Sequence, residues 1–197
     1  MNILAGVPLL LASLVAAPQT SSPDPQGFIR HWLVLAPIAI DEGFAFSEID
    51  RDLINIEGAL KPTAGDKVSF LGWEWTWKPH ATSDYFIDFR QAFGQQRGED
   101  VAGYAVAYVI ADTDMTVKLA VGSNDQFKAW VNGKPVLRFN GARGLEKDAD
   151  TTDVTLAKGR NTLVLKVINE ANSWQACARF IRDGAGVTNL KISLAPQ

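Results

Sequence analysis

The chain has 197 residues, 47% of them hydrophobic and 21% charged, with a formal net charge of −3. Those proportions suit one globular domain with a sizeable core and exclude a disordered or fibrous chain. The slightly acidic balance supplies no basic field for phosphates, so no nucleic-acid partner is expected.

The N-terminus opens with ILAGVPLLLASLVAA, Ile3 to Ala17, followed by the small and polar PQTSSPDPQG. A run of this length matches a signal-peptide core and falls short of the roughly 20 residues that a membrane-spanning helix requires. The first basic residue is Arg30, well after the run, and the only cysteine is Cys177, so no lipid-bearing cysteine ends it. The alternative is a buried or interfacial helix. We expect residues 1–19 to be a signal peptide, 20–27 a linker and 28–197 a single domain. The mature protein is then secreted or periplasmic, with no membrane insertion after signal removal.

HWLVLAPIAI, from His31, reads as a short buried strand ended by Pro37. Between Asp41 and Gly65 the pattern is mixed. Ser47 stands where a helix cap would, and Leu53, Ile54, Ile56 and Leu60 form only a weak apolar stripe, so a loop with at most a helical turn is expected. From Lys67 onward the period becomes two. VSFLGWEWTWKP, DYFIDF, VAGYAVAYVIA, MTVKLAVGS, FKAWVNG, PVLRFN, DVTLAKG, NTLVLKVIN, WQACARFI and LKISLA are short, rich in β-branched and aromatic residues, and parted by Gly, Asn, Asp and Pro. With no helical stripe between them, they predict an all-β, antiparallel β-sandwich rather than parallel βαβ units. Asn132-Gly133 is the strongest hairpin signal in the chain, since a type I′ turn needs positive φ at both central residues.

Alternation assigns faces. Met115, Val117, Leu119 and Val121 face the core, as do Phe127, Ala129 and Val131, and Leu163, Leu165 and Val167. Trp130, with Lys128 and Asn132, points the other way, as do Thr162 and Lys166. Trp130 is then either buried under a covering segment such as the 41–65 loop or left open as a binding surface. Cys177 can form no internal disulfide, and its apolar strand suits a packed thiol better than a nucleophile.

In this order, WLVLAP at 32–37, G-x-x-x-x-W-K-P around Trp77, AVAYVIADTDMTVKLAVGSNDQFKAWVNGKPV, VTLAKGRNTLVLKVIN and SWQACARF carry a resemblance. The chain resembles the secreted bacterial β-sandwich modules of the galactose-binding-like and protective-antigen-type group, and the jelly-roll accessory domains of β-galactosidase-like enzymes. The resemblance implies a jelly-roll fold, no catalysis and often carbohydrate binding within a larger polysaccharide-degrading protein; other members are spacers without a known ligand. The lectin-like members commonly use two adjacent aspartates to help hold Ca²⁺. Here the matching pair is Asn124-Asp125, which removes one charge.

Several residues are candidates for a site. Trp73, Trp75 and Trp77 would share one face of a strand, as a sugar platform or as plain core. Trp130 and Trp174 carry the same two readings. Asn124, Asp125 and Arg143 are candidate hydrogen-bonding partners for sugar hydroxyls, although Asp125 also suits a turn cap. Asp148, Asp150 and Asp153 lie close enough in sequence to suggest a Ca²⁺ site, against the alternative of a solvated loop. His31 and His80 have no metal-ligand spacing, and no G-x-S-x-G or phosphate-cradling loop is present. The expectation is a non-catalytic carbohydrate-binding module with a glycan partner and no cofactor beyond Ca²⁺. The alternatives are a structural or protein-interaction module, with a protein partner, and a small glycoside hydrolase.

Overall fold

The computed structural model describes residues 20–40, 48–54, 56–94 and 98–197. The expected signal peptide and the expected cap at Ser47 lie outside the described residues. Every strand pairing is antiparallel. The larger sheet runs β1 (Thr20–Ser21), β15 (Lys191–Ser193), β7 (Val101–Ala111), β12 (Gly159–Asn169), β9 (Gln126–Val131), β10 (Lys134–Phe139). Beside β15, the same edge of β7 also carries β2 (His31–Ala39), and β2 in turn pairs with β5 (Lys78–Ala81). The smaller sheet runs β11 (Asp150–Leu156), β8 (Met115–Ser123), β13 (Gln175–Arg182), β14 (Ala185–Gly186), with β6 (Ile87–Asp88) also against β13. Successive strands β7, β8, β9 and β11, β12, β13 alternate between the sheets, so the antiparallel sandwich expected from the dyad pattern is what forms.

The inward residues read from alternation do fill the space between the sheets: Met115, Val117, Leu119 and Val121 from β8, Phe127, Ala129 and Val131 from β9, and Leu163, Leu165 and Val167 from β12. Asn132 and Gly133 have φ of 51° and 83° and turn β9 into β10 with Val131 opposite Lys134, as the sequence predicts.

The larger sheet, however, is apolar on both faces. In β7, Val101, Ala105, Ala107 and Val109 face the sandwich interior, while Ala102, Tyr104, Val106 and Tyr108 face the opposite side. A second apolar layer forms there with Ile49, Leu53, Ile54 and Trp77, together with a hairpin, β3 (Lys67–Phe70) and β4 (Trp73–Thr76). This corrects the expectation of a single interior between two sheets. Strands buried on both faces read as continuous hydrophobic runs, which is why VAGYAVAYVIA shows so little alternation.

The third layer also covers two residues that alternation points outward, burying Trp130 under part of the 41–65 segment, one of the two alternatives, and burying Lys166 as well. Trp130 is 5% exposed, beneath the 3-10 turn Glu57–Ala59; a side chain at Gly58 would bring its Cβ to 2.8 Å from Trp130 Cδ1. Lys166 is 0% exposed. Its ammonium donates to the carbonyls of Glu48 and Arg51, both at 2.6 Å, and to Glu57 Oε1 at 3.0 Å. The same carboxylate oxygen accepts the Leu53 N–H at 2.9 Å and the Tyr104 hydroxyl. Burial lowers the pKa of Lys166, with the Glu57 charge opposing that shift; burial, then the Glu57 charge, raises that of Tyr104 well above its usual value. On the rim, Asp50 receives Lys128 at 3.1 Å and Arg138 at 2.6 Å.

Other boundaries differ from expectation for local reasons. VSFLGWEWTWKP is not one strand, because Leu71 and Gly72, both at positive φ, fold it into the β3–β4 hairpin before β5 begins. DYFIDF supplies only β6, after which the Asp88 side chain caps the short helix α1 (Phe89–Ala92) by accepting the Gln91 N–H at 3.1 Å. β2 does not stop at Pro37: the cis Ala36–Pro37 bond lies in a register shift between Leu35 and Ile38, where a missing N–H costs no ladder bond. Residues 20–27, expected as a linker, carry β1 and a turn in which Asp24 Oδ1 accepts the N–H groups of Gln26 and Phe28, each at 2.9 Å.

Removing one partner of the buried pair leaves the other charge stranded. Lys166→Met is expected to lower unfolding free energy by about 3–5 kcal/mol, and a Glu57→Gln, Lys166→Met double variant to lose less than the sum of the single losses. Urea unfolding measures both; additive losses would show that the pair does not act as a unit.

Candidate functional site

The six tryptophans fall into two groups. Trp32, Trp77, Trp130 and Trp174 are buried, and Trp174 stacks on Phe89 with ring centroids 4.8 Å apart while its indole N–H donates to the Val167 carbonyl at 3.3 Å. For Trp77, Trp130 and Trp174 the structure favours the core alternative over sugar contact. Trp73 is 72% exposed and Trp75 is half-buried.

Asn124, Asp125 and Arg143 do come together, but as a lock on a loop. Asp125 Oδ1 accepts the Arg143 N–H at 3.1 Å, and Oδ2 accepts the Glu170 N–H at 3.0 Å. The Asn124 amide donates to the Arg143 carbonyl at 3.0 Å. The Arg143 guanidinium donates to the Ser123 carbonyl at 3.2 Å, to the Ser123 hydroxyl at 3.1 Å and to Asp150, and lies 3.8 Å from the centre of the Phe139 ring. This corner does not suit a calcium ion. Both Asp125 oxygens already receive backbone donors, and a guanidinium supplies the positive charge.

Asp148, Asp150 and Asp153 do not converge. Asp148 pairs with Arg179, Asp150 with Arg143, and Asp153 with Lys118 at 2.9 Å. Among the described residues no group of three or more His, Cys, Asp or Glu is placed to hold a metal. Cys177 is buried, and burial pushes its thiol up to about 12, as a packed side chain rather than a nucleophile.

What remains open is a cleft of about 1170 Å³ beneath the β3–β4 hairpin. Phe70, Leu71, Trp73 and Trp75 form one wall; Pro37, Ile40 and Phe93 are among the residues of the other. Phe70 and Trp73 flank the two-residue turn, with Val68 opposite Trp75 two positions on. The base of the hairpin packs on the large sheet through Val68 and Trp75, and the Trp75 indole N–H is fixed by the Pro37 carbonyl at 2.7 Å. Nearer the tip, Leu71 and Trp73 stand free, at 76% and 72% exposure.

The hairpin register also sets the polar character of the cleft. In a hairpin closed by a two-residue turn, the flanking pair Phe70/Trp73 and then Val68/Trp75 exchange the ladder hydrogen bonds. The backbone N–H and C=O of Glu74 and Thr76 therefore point away from β3, and both residues line the cleft. Lys78 adds an ammonium 5.7 Å from the Phe93 ring centre, and the Glu74 side chain is held by Lys67 at 2.7 Å. Trp73 and Trp75 thus stand on the same strand as main-chain donors and acceptors that point away from β3.

No family model matches the chain, and no curated protein matches it. Solved structures similar to it include a PA14 sugar-binding domain from an RTX adhesin, at 15% identity and TM-score 0.45, covering 84% of this chain and 99% of that one. A family 35 carbohydrate-binding module from an environmental isolate matches at 11% identity and TM-score 0.36, covering 91% of this chain and 98% of that one. A GH31 alpha-xylosidase from Xanthomonas citri matches at 10% identity and TM-score 0.38, covering 89% of this chain and 19% of that enzyme. Likeness at this level carries nothing about what the chain binds.

Sequence reasoning found Trp73 and Trp75 but missed the opposite wall. The Leu71-Gly72 turn was legible in principle, as a glycine between two apolar runs. Nothing local brings Pro37 and Phe93 to it.

Acrylamide should quench only part of the tryptophan emission. Trp73→Phe is expected to remove the most accessible component while leaving the protected one unchanged. An unchanged quenching profile in that variant would place the accessible indole elsewhere.

Proposed function

We propose that this is a secreted or periplasmic, non-catalytic carbohydrate-binding module whose glycan lies in the cleft under the β3–β4 hairpin. The observation that carries the reading is Trp73, an indole 72% exposed on the wall of a cleft whose strand edge presents backbone donors and acceptors. With Leu71, 76% exposed on the same cleft wall, it forms an exposed apolar patch of the kind that supports a contact surface. The C–H face of a pyranose packs on an indole, and its equatorial hydroxyls reach sideways for hydrogen bonds, here toward Glu74, Thr76 and Lys78.

A second reading has its own support. Among the described residues the edge of β4 away from β3 pairs with no other strand, and such an edge suits the addition of an extended peptide strand, which would make the domain a protein-interaction module. The two readings differ in what the indole must meet: a sugar ring laid on Trp73, or an apolar side chain of an added strand packed against it.

On a broad glycan array, saturable binding is expected that Trp73→Ala weakens about tenfold or more, as for a central aromatic contact, with no change in melting temperature. Binding is expected to persist in EDTA. An array without a hit, or one whose hits are indifferent to Trp73→Ala, contradicts the proposal.

A further inference from the structure

Resting on that reading, we infer that the ligand is an interior run of a polysaccharide, held along several consecutive sugar rings, rather than a monosaccharide or a chain end. Three observations lead there. The first is size: the cleft measures about 1170 Å³, at the large end of ligand sites, with room for more than one sugar ring.

The second is the spacing of the platforms. Trp73 and Trp75 lie on one face of β4, two residues apart, so their Cα atoms are separated by about 6.6 Å along the strand. That places two indoles in series along the cleft wall, the exposed Trp73 near the tip and the half-buried Trp75 near the base. Leu71, at the hairpin turn, stands next to Trp73 on the same wall, and Lys78, near Phe93 of the opposite wall, lines the cleft as well.

The third is the distribution of polar groups. A pocket for one terminal sugar gathers its donors and acceptors around a single point, because each hydroxyl of one ring must be met. Here they are strung out: the main-chain groups of Glu74 and Thr76 repeat every second residue along the edge away from β3, and Lys78 stands two residues further on. A linear ligand with a regular repeat matches such a wall. Each ring contributes a modest contact, and affinity accumulates with the number of rings engaged.

The test uses the full chain with galactomannan, arabinoxylan, xyloglucan and pectic galactan immobilised separately. For each polymer that retains the protein, its own soluble fragments, from the monosaccharide to the hexasaccharide, are used as competitors. Inhibition is expected to strengthen stepwise, with the tetrasaccharide at least about tenfold better than the disaccharide, and capping the non-reducing end of the hexasaccharide is expected to leave it unchanged. Trp73→Ala and Trp75→Phe are expected to flatten the dependence on length. A monosaccharide that competes as well as the hexasaccharide, or a loss on end-capping, overturns the inference and leaves the glycan reading standing. Retention on none of the polymers overturns the inference, and an array without a hit, or capture of extended peptides instead, overturns both.

Discussion

A lysine in the middle of an apolar strand dictates how this fold is completed. Lys166 alternates with Leu165 and Val167, which fill the sandwich interior, so it projects from the opposite face of the large sheet among Tyr104, Trp130 and Ile168. A bare ammonium there would be costly in proportion to the water it loses. The chain answers with the 48–57 segment, which brings two carbonyls and the Glu57 carboxylate onto the ammonium and spreads Leu53, Ile54 and a 3-10 turn across the sheet. The polar contacts fix where the layer sits, and the apolar residues around them supply most of the favourable burial.

The cleft is a consequence of that third layer. The β3–β4 hairpin follows directly from the covering segment and packs on the same second core through Val68, Phe70 and Trp75. Its base is seated and its tip is not, so a space is left against β2, which runs on through its register shift to Ala39. Had the outer face of the large sheet been polar, as alternation alone suggests, neither layer nor cleft would be needed. The same constraint therefore explains both the apolar runs in the strands and the exposed aromatic tip.

Much of the sandwich was legible from period two. β8 reads cleanly because its outer residues Thr116 and Lys118 are polar, and the β9–β10 turn reads from Asn132-Gly133. β2 reads as a buried strand and β7 as a strand with little alternation, because both faces of each are buried. Lys166 points outward as alternation assigns, but its burial was not legible: a charged residue at an outward position is ordinarily solvated, and its partner Glu57 stands 109 positions away in a segment with almost no pattern. Of the candidate site, the tryptophan triplet was visible, but which of its rings stays open depends on Leu71-Gly72 and on Pro37. The Asn124, Asp125 and Arg143 grouping was correct as a neighbourhood, yet its hydrogen-bonding capacity is directed inward to hold the loop from Arg143 to Asp150.

The central claim, that the buried Lys166–Glu57 contact seats an outer layer on an otherwise self-sufficient sandwich and thereby shapes the cleft, is tested most directly by hydrogen exchange read by mass spectrometry. The comparison is between the native protein and its Lys166→Met variant. Faster exchange is predicted over residues 48–78, including β3 and β4, with β8, β11 and β13 retaining native protection. Acceleration spread evenly over both sheets, or none within 48–78, would contradict it.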